Sequence, residues 1–400
     1  MSVDLYRASN ELLARSSLIP GGACTRSKAP GRLFDVGSGP LYAASGHGAV
    51  LRDVDGHEYI DMICGLGAIS LGYEALPNAP LAGRIYSLPH HVEITAAEDV
   101  LRVVAPWASQ VRFTKTGSES THAAYRIAKV ATGRSHVMVG DWAYHGWHEW
   151  CSPDHATRLT FGHGEINIDT PRLTSRRELV PAYRDDIAAV FIEPHRWEPV
   201  SVAWLQSVRD WCTRRGALLV FDEMIYGGRW ALGGATEYYG ITPDLACFGK
   251  AIGNGSPIAC VVGRDALRDH GVLVSGTYSG DVSALECLSQ TLAQYEQRKV
   301  IELLWARGRQ LAAGLEQAIV ASGWSGLVTR EGQPVHQRLR FEGDEAARPA
   351  RARQFAAGMA SRGVLWHPQL VNVCAAHTED QITQVCEAAM ATLQQMGRGD

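Results

Sequence analysis

Apolar positions along this chain follow two periods. Uninterrupted apolar runs, Ala188 to Ile192, Ala217 to Phe221 and Leu245 to Phe248, read as strands buried on both faces. Between the first two, residues 201 to about 215 carry a helical pattern. That strand–helix–strand order predicts a right-handed parallel crossover, with the acids that follow the two strands, Glu193 and Asp222, on the same edge. Upstream, residues 4 to about 17 form an amphipathic helix on Leu5, Leu12 and Leu13. Ala49 to Met62 reads as two strands joined at Asp55-Gly56, a hairpin signal. Residues 93 to 105 read as a helix, Val111 to Phe113 as a strand and His136 to Asp141 as another. A helix from Glu119 to about Thr132 lies between them, capped by Ser118 and ended by Gly133. Two long helical patterns run on to about residue 321. A hairpin, a helix over 346 to 361, two short strands and a last helix with a Thr378 to Gln381 capping box follow.

Composition narrows the class. Four hundred residues with 46% apolar content can bury a large core, so two domains are expected. A net charge of −4 gives no reason to expect nucleic acid or a membrane surface as partner. No apolar run reaches the length of a membrane span, and the first residues lack the apolar core of a signal peptide. The nine cysteines are scattered and never spaced as C-x-x-C, which reads as reduced thiols in a cytoplasm rather than disulfides or zinc. His145 and His148 are spaced like metal ligands, but no third ligand stands near them in sequence, so no metal is expected. Gly65-Leu66-Gly67 does not open a helix in the manner of a dinucleotide fingerprint.

The stretch from Gly216 to Pro257 carries the chemistry. One apolar strand delivers Asp222 and Glu223 at its carboxyl end, and the next apolar segment delivers Gly249 and Lys250 before a Gly-rich turn. Few lysines compete for the role, since only Lys28, Lys115, Lys129, Lys250 and Lys299 occur. An acid and a lysine at buried strand ends suit pyridoxal 5'-phosphate. The lysine forms a Schiff base with the aldehyde, and the aspartate pairs with the pyridinium nitrogen so that the ring accepts electrons. With FDE, Gly227-Gly228-Arg229 and TPDLACFGKAIGNGSP in order, the chain resembles class III (subgroup II, fold-type I) aminotransferases. Within them it is similar to the relatives of glutamate-1-semialdehyde aminomutase.

That resemblance implies an α/β fold. A large domain, residues 56–285, would hold a mostly parallel seven-stranded sheet flanked by helices. A smaller α+β domain would occupy 286–400, joined by an N-terminal segment, 1–55. It assigns Lys250, Asp222 and Tyr144 as catalytic. Tyr144-His145-Gly146 resembles the family's YHG, whose aromatic ring stacks on the pyridine, and Met224 would lie against the opposite face. Thr116, Gly117 and Ser118 match the phosphate-binding turn, where a helix N-terminus offers free N–H groups. Glu193 matches the family's E-P, and Thr277 the threonine that reaches the phosphate of the neighbouring subunit, so a homodimer is implied.

For substrate, the family position that holds a carboxylate with arginine falls on Lys28, near Arg26, and a lysine offers a point charge rather than a fork. Trp142, Trp147, Trp150 and Trp197 flank the site loops, and Trp faces suit the C–H faces of sugars and cyclitols. Where the aminomutase continues with a Gly-rich segment, this chain has His195-Arg196-Trp197. The expected activity is ping-pong transfer of an amino group from a small-molecule donor to an aldehyde or ketone, with a sugar- or cyclitol-derived carbonyl as the candidate acceptor. An intramolecular aminomutase and a racemase or epimerase are the alternatives.

Overall fold

The computed structural model describes residues 5–74, 83–140, 143–152, 159–161, 172–173, 186–194, 197, 200–264 and 272–397. The strands are, in chain order, β1 (Ala43–His47), β2 (Val50–Asp53), β3 (Glu58–Asp61), β4 (Gln110–Thr114) and β5 (His136–Gly140). Then come β6 (Leu159–Phe161), β7 (Arg172–Leu173), β8 (Ile187–Ile192), β9 (Leu218–Asp222) and β10 (Leu245–Phe248). β11 (Ala259–Gly263), β12 (Val328–Gln333), β13 (His336–Phe341), β14 (Val364–Leu365) and β15 (Val371–Asn372) complete them. The helices are α1 (Arg7–Leu13), α2 (Cys64–Gly67), α3 (Val92–Asp99), α4 (Gly117–Thr132) and α5 (Val202–Arg215). They continue with α6 (Gly234–Tyr239), α7 (Val282–Arg298), α8 (Val300–Ala321), α9 (Ala347–Ala360) and α10 (Glu379–Gln395). No helix among the described residues is long and apolar enough to cross a membrane. The chain divides into a central unit, Asn78–Ile301, and a terminal unit made of Met1–Pro77 with Glu302–Asp400.

The central unit is an α/β sandwich on an eight-stranded sheet of order β4-β11-β10-β9-β8-β5-β6-β7. Pairings from β10 through β9, β8 and β5 to β6 are parallel; β11 is antiparallel to both its neighbours, and β7 is antiparallel to β6. The sheet is mostly parallel as expected, with one strand more than seven. The addition is the two-residue edge strand β7, too short to leave an alternating signal in sequence.

Alternation decides what each strand buries. Ala189, Phe191, Val220, Cys247 and Val261 pack on one face with Ala124, Ile127 and Ala128 of α4. Val190, Ile192, Leu219, Phe221, Ala246 and Val262 pack on the other, against Leu205 and Val208 of α5 and Leu285 and Leu288 of α7. Two covered faces explain the uninterrupted apolar runs, and each such side chain contributes about 1.5–3 kcal/mol. Asp222 shares the parity of Val220, so the strand aims it at the α4 side of the sheet.

In the terminal unit, one sheet has the order β1-β2-β3-β14 and another β12-β13-β15. The hairpin expected at Asp55-Gly56 joins β2 to β3, with Gly56 at φ 93 where a side chain would be strained. Asp55 also caps α1, accepting from Ala8 N at 2.6 Å and Ser9 N at 3.1 Å. Helix α1 is therefore shorter than the expected 4 to 17: it starts where that distant carboxylate fixes its first turn. The Thr378 to Gln381 capping box opens α10 as expected.

Candidate active site

Asp222, at the end of β9, is 3% exposed. Its Oδ1 accepts from Met224 N at 3.1 Å, and its Oδ2 lies 2.8 Å from His145 Nδ1. A carboxylate only accepts, so His145 carries a proton on Nδ1 and donates it. His145 Nε2 is buried and has no hydrogen-bond partner among the described residues. The imidazole is wedged between Phe191 of β8, 5.8 Å away between ring centres, and Trp150, whose ring lies parallel to it at 6.5 Å.

Two groups hold the segment that carries His145. Glu193, 5% exposed beyond β8, accepts from Tyr144 N at 3.2 Å. Thr121 on the first turns of α4 donates its hydroxyl to His145 O at 2.6 Å. Tyr144 is left 52% exposed. Burial, then the nearby Cys151 thiol and Asp222 carboxylate, push its phenol above the ordinary range.

The turn ahead of α4 is built by a capping box. Thr116, not Ser118, is the cap, because its hydroxyl accepts from Glu119 N at 3.2 Å while Glu119 Oε2 accepts from Thr116 N at 3.1 Å and Lys115 N at 2.7 Å. The T-x-x-E spacing was the signal for it in sequence. This cap leaves the N–H groups of Gly117 and Ser118 at the positive end of a 16-residue helix, a ready anion site. Lys115 Nζ lies 3.1 Å from Asp281 Oδ2, the cap of α7, an ion pair that sequence reasoning missed because its partners are far apart in the chain.

Lys250 follows β10, which runs parallel to β9 with Cys247 opposite Asp222. The lysine and the aspartate thus emerge from the same ends of neighbouring strands. Lys250 takes φ 49, a left-handed backbone that costs a non-glycine residue about 1–3 kcal/mol and that marks functional positions. Met224 sits against both turns: a Cβ added to Gly117 would stand 2.9 Å from its sulfur, and one added to Gly249 2.8 Å. Those two glycines leave room for the Met224 side chain between the turn ahead of α4 and the turn that carries Lys250.

Glu223, next to Asp222, points to other work. It is fully buried and accepts from Ala235 N, Thr236 N and Thr236 Oγ1 at 2.7–2.8 Å, holding the start of α6. Burial pushes its carboxyl up to about 7. Trp147 is 74% exposed and lines a cleft with His122, Tyr125, His148, Glu149 and Trp150. Thr277 is exposed ahead of α7, and Trp197 is half-buried beyond β8. Arg26 and Lys28 lie exposed on a short turn of the terminal unit. Trp142, His195 and Arg196 lie outside the described residues.

The chain is similar to known proteins over nearly its whole length. The model of the class-III aminotransferases matches residues 34–154 and 166–390. A glutamate-1-semialdehyde 2,1-aminomutase of Desulforamulus reducens is 32% identical, the alignment covering 96% of this chain and 97% of that protein. A 3-aminobutyryl-CoA aminotransferase of Cloacimonas acidaminovorans is 29% identical, with 94% of each chain covered. Among solved structures, the FumI protein of Sphingopyxis sp. MTA144, in its pyridoxal phosphate internal aldimine form, superposes with a TM-score of 0.85 at 28% identity, covering 96% of this chain and 95% of that one.

Proposed function

This chain belongs to the class-III aminotransferases, enzymes that work with pyridoxal 5'-phosphate, and on that premise we propose that it moves an amino group from a donor amine to an aldehyde or ketone in two half-reactions at one site. The observation that carries the reading is the pair of strand ends: Lys250 and Asp222 emerge side by side, with His145 hydrogen-bonded to the aspartate.

The residues fit the cofactor. Gly117 and Gly249 let Met224 pack between the two turns, and the start of α4 offers N–H groups to a phosphate. When bound, the cofactor supplies an aldehyde that captures amines and a protonated ring that draws electrons. Asp222 keeps the ring nitrogen protonated, because opposite charges in a dry site favour each other's charged forms. His145 orients that carboxylate through Nδ1. Tyr144 and Met224 would hold the ring between them. Thr116, Gly117 and Ser118 hold the phosphate, while Glu193 fixes the backbone of Tyr144. Lys250 would hold the cofactor's aldehyde, and its amine would carry the proton removed from the substrate carbon. Thr277 completes the phosphate site of a second subunit, which makes the working form a homodimer. The cysteines, none disulfide-bonded among the described residues, fit a cytoplasmic setting.

For the acceptor we favour a sugar- or cyclitol-derived carbonyl, with the exposed Trp147 face and Trp197 of the central unit as its contacts. A second reading, the intramolecular aminomutase, is favoured by the 32% identical relative of that activity. The absorbance spectrum of the purified protein, recorded with and without a panel of amines, separates them. Bleaching of the cofactor band by an external donor and its return on adding a polyhydroxylated carbonyl supports transamination. Turnover without any second substrate supports the mutase, and action on α-amino and α-keto acids alone removes the sugar acceptor.

A further inference from the structure

The terminal unit holds a cluster that this chemistry does not use. At the end of β3 the chain turns through Ile63 and Cys64, whose N–H groups donate to Asp61 Oδ1 at 2.8 and 3.1 Å. Cys64 takes φ 51, a left-handed backbone unusual outside glycine, and is 1% exposed. Beyond β15 comes Cys374-Ala375-Ala376-His377, a C-x-x-H spacing closed by His377 N donating to Cys374 O at 3.1 Å. The turn brings His377 Nδ1 to 3.3 Å from Cys374 Sγ. Cys374 is 1% and His377 2% exposed. The ligand atoms of Cys64, Cys374 and His377 all lie within 4.8 Å of one another, in a setting of Ala49, Ile69 and Ala376.

The tautomer is fixed. Cys374 N donates to His377 Nδ1 at 2.9 Å, and an amide N–H can only donate. Nδ1 therefore holds a lone pair, engaged by the Cys374 amide beside the sulfurs, and the ring proton sits on Nε2, which is the neutral form that ligates metals.

We propose that Cys64, Cys374 and His377 bind a thiophilic d10 cation, Zn2+ or Cu+. Two sulfurs and an imidazole, with no oxygen in the set, select such ions over Mg2+ or Ca2+. Zinc bonds of about 2.3 Å to sulfur and about 2.0–2.1 Å to nitrogen require the ligands to stand roughly 3.5–4 Å apart, close to the spacing already present. Binding Zn2+ forms two Zn–S bonds and one Zn–N bond, each sulfur bound as a thiolate, and releases the proton of any sulfur that still carries one. The two thiolates then offset the charge of the ion, so the buried centre stays neutral. The ion takes the Nδ1 lone pair from the Cys374 amide. It ties the end of β3 to the entry of α10, joining the two stretches of sequence that make up the terminal unit. Arg307 Nε, which donates to His377 O at 3.1 Å, already braces that entry.

The test uses the full-length protein with its cofactor, purified under a thiol reductant and without chelator. Elemental analysis for zinc and copper is followed by removal of metal and titration with Zn2+, Cu+ or Co2+, the last as a spectroscopic reporter. The expected result is about one ion per chain, a near-ultraviolet sulfur-to-cobalt band, and release of thiol protons on adding Zn2+ in weak buffer. Cys374→Ser and Cys64→Ser should abolish the band while the cofactor's absorbance stays, which separates this site from the proposed reaction centre. Uptake of zinc or of copper identifies the ion. Absence of uptake of all three ions, proton release near zero, a Cys64–Cys374 disulfide, or cobalt binding that survives both substitutions overturns the proposal. Should the variants fail to fold, proton release and the cobalt band of the unaltered protein decide it.

Discussion

His145 and Asp222 form a buried pair, Nδ1 to Oδ2 2.8 Å, with side chains 0% and 4% exposed. The aspartate spends its other oxygen on Met224 N, so both of its oxygens are engaged on the protein side. Removing the imidazole in His145→Ala deletes a hydrogen bond to a charged group, about 1.5–3 kcal/mol, so kcat/KM should fall roughly 10- to 100-fold. Asp222→Ala should do worse, since it leaves a buried cation unpaired at about 3–5 kcal/mol. Steady-state kinetics together with the visible spectrum check both. Unchanged rates in both variants would remove the pair from the mechanism.

Lys250→Ala should abolish the covalent attachment of the cofactor. Borohydride reduction followed by peptide mass analysis should find the modified lysine in the parent protein at 250 and none in the variant. A fixed adduct elsewhere would reassign the centre.

Met224 and its two glycines should behave as one unit. Gly249→Ala places a methyl 2.8 Å from Met224 Sδ and 3.2 Å from Ala259 Cβ, and overpacking of this kind typically costs about 1–3 kcal/mol. Cofactor affinity should fall, and Met224→Val in the same chain should recover part of it. Titration with pyridoxal phosphate reads both. Equal losses in the single and double variants would show that Met224 is not what the methyl meets.

Two buried groups should give the two units opposite responses to pH. Glu223, in the central unit, titrates at about 7 rather than 4.5 because of burial. The unfolded chain ionises there first, so its contribution is whole below pH 4.5 and declines as pH rises towards 7. His367, in the terminal unit, is lowered from 6.5 to about 4 by burial, so its contribution is whole above 6.5 and is lost as pH falls towards 4. Hydrogen exchange across that window should show central-unit peptides loosening with rising pH and terminal-unit peptides tightening. In Glu223→Gln the first trend should flatten.

Thr116→Ala should cost about 1 kcal/mol by removing the cap of α4 and should weaken phosphate binding as well. Thermal unfolding and the affinity for inorganic phosphate measure the two effects. A stability loss with phosphate affinity intact would assign the turn to architecture alone.

Much of this was legible in the sequence for physical reasons. The apolar runs of β8, β9 and β10 announced a sheet covered on both faces, and alternation alone sends Asp222 to the α4 side. The hairpin at Asp55-Gly56 and the Thr378 cap were local signals, complete within a few residues. What escaped was non-local. The first turn of α1 is fixed by Asp55, more than forty positions away in sequence. Lys115 meets Asp281 across an even longer interval, and Cys64 meets Cys374 only after the chain has built the whole central unit. A search for C-x-x-C does not see a C-x-x-H completed by a remote cysteine. The cap of α4 was misplaced by two residues because Ser118 and Thr116 are both good caps, and only the reach of Glu119 chooses between them.

The hydroxyl of Thr121 has a wider consequence. By gripping the carbonyl of His145, it ties the first turns of α4 to the segment that carries Tyr144 and His145, so the proposed anion cradle and ring clamp form a single rigid casting. Loops that meet a substrate can then be recast without loosening that seat. On the proposed reading, an engineer retargeting this enzyme would vary the ground around Trp147 and leave the threonine alone.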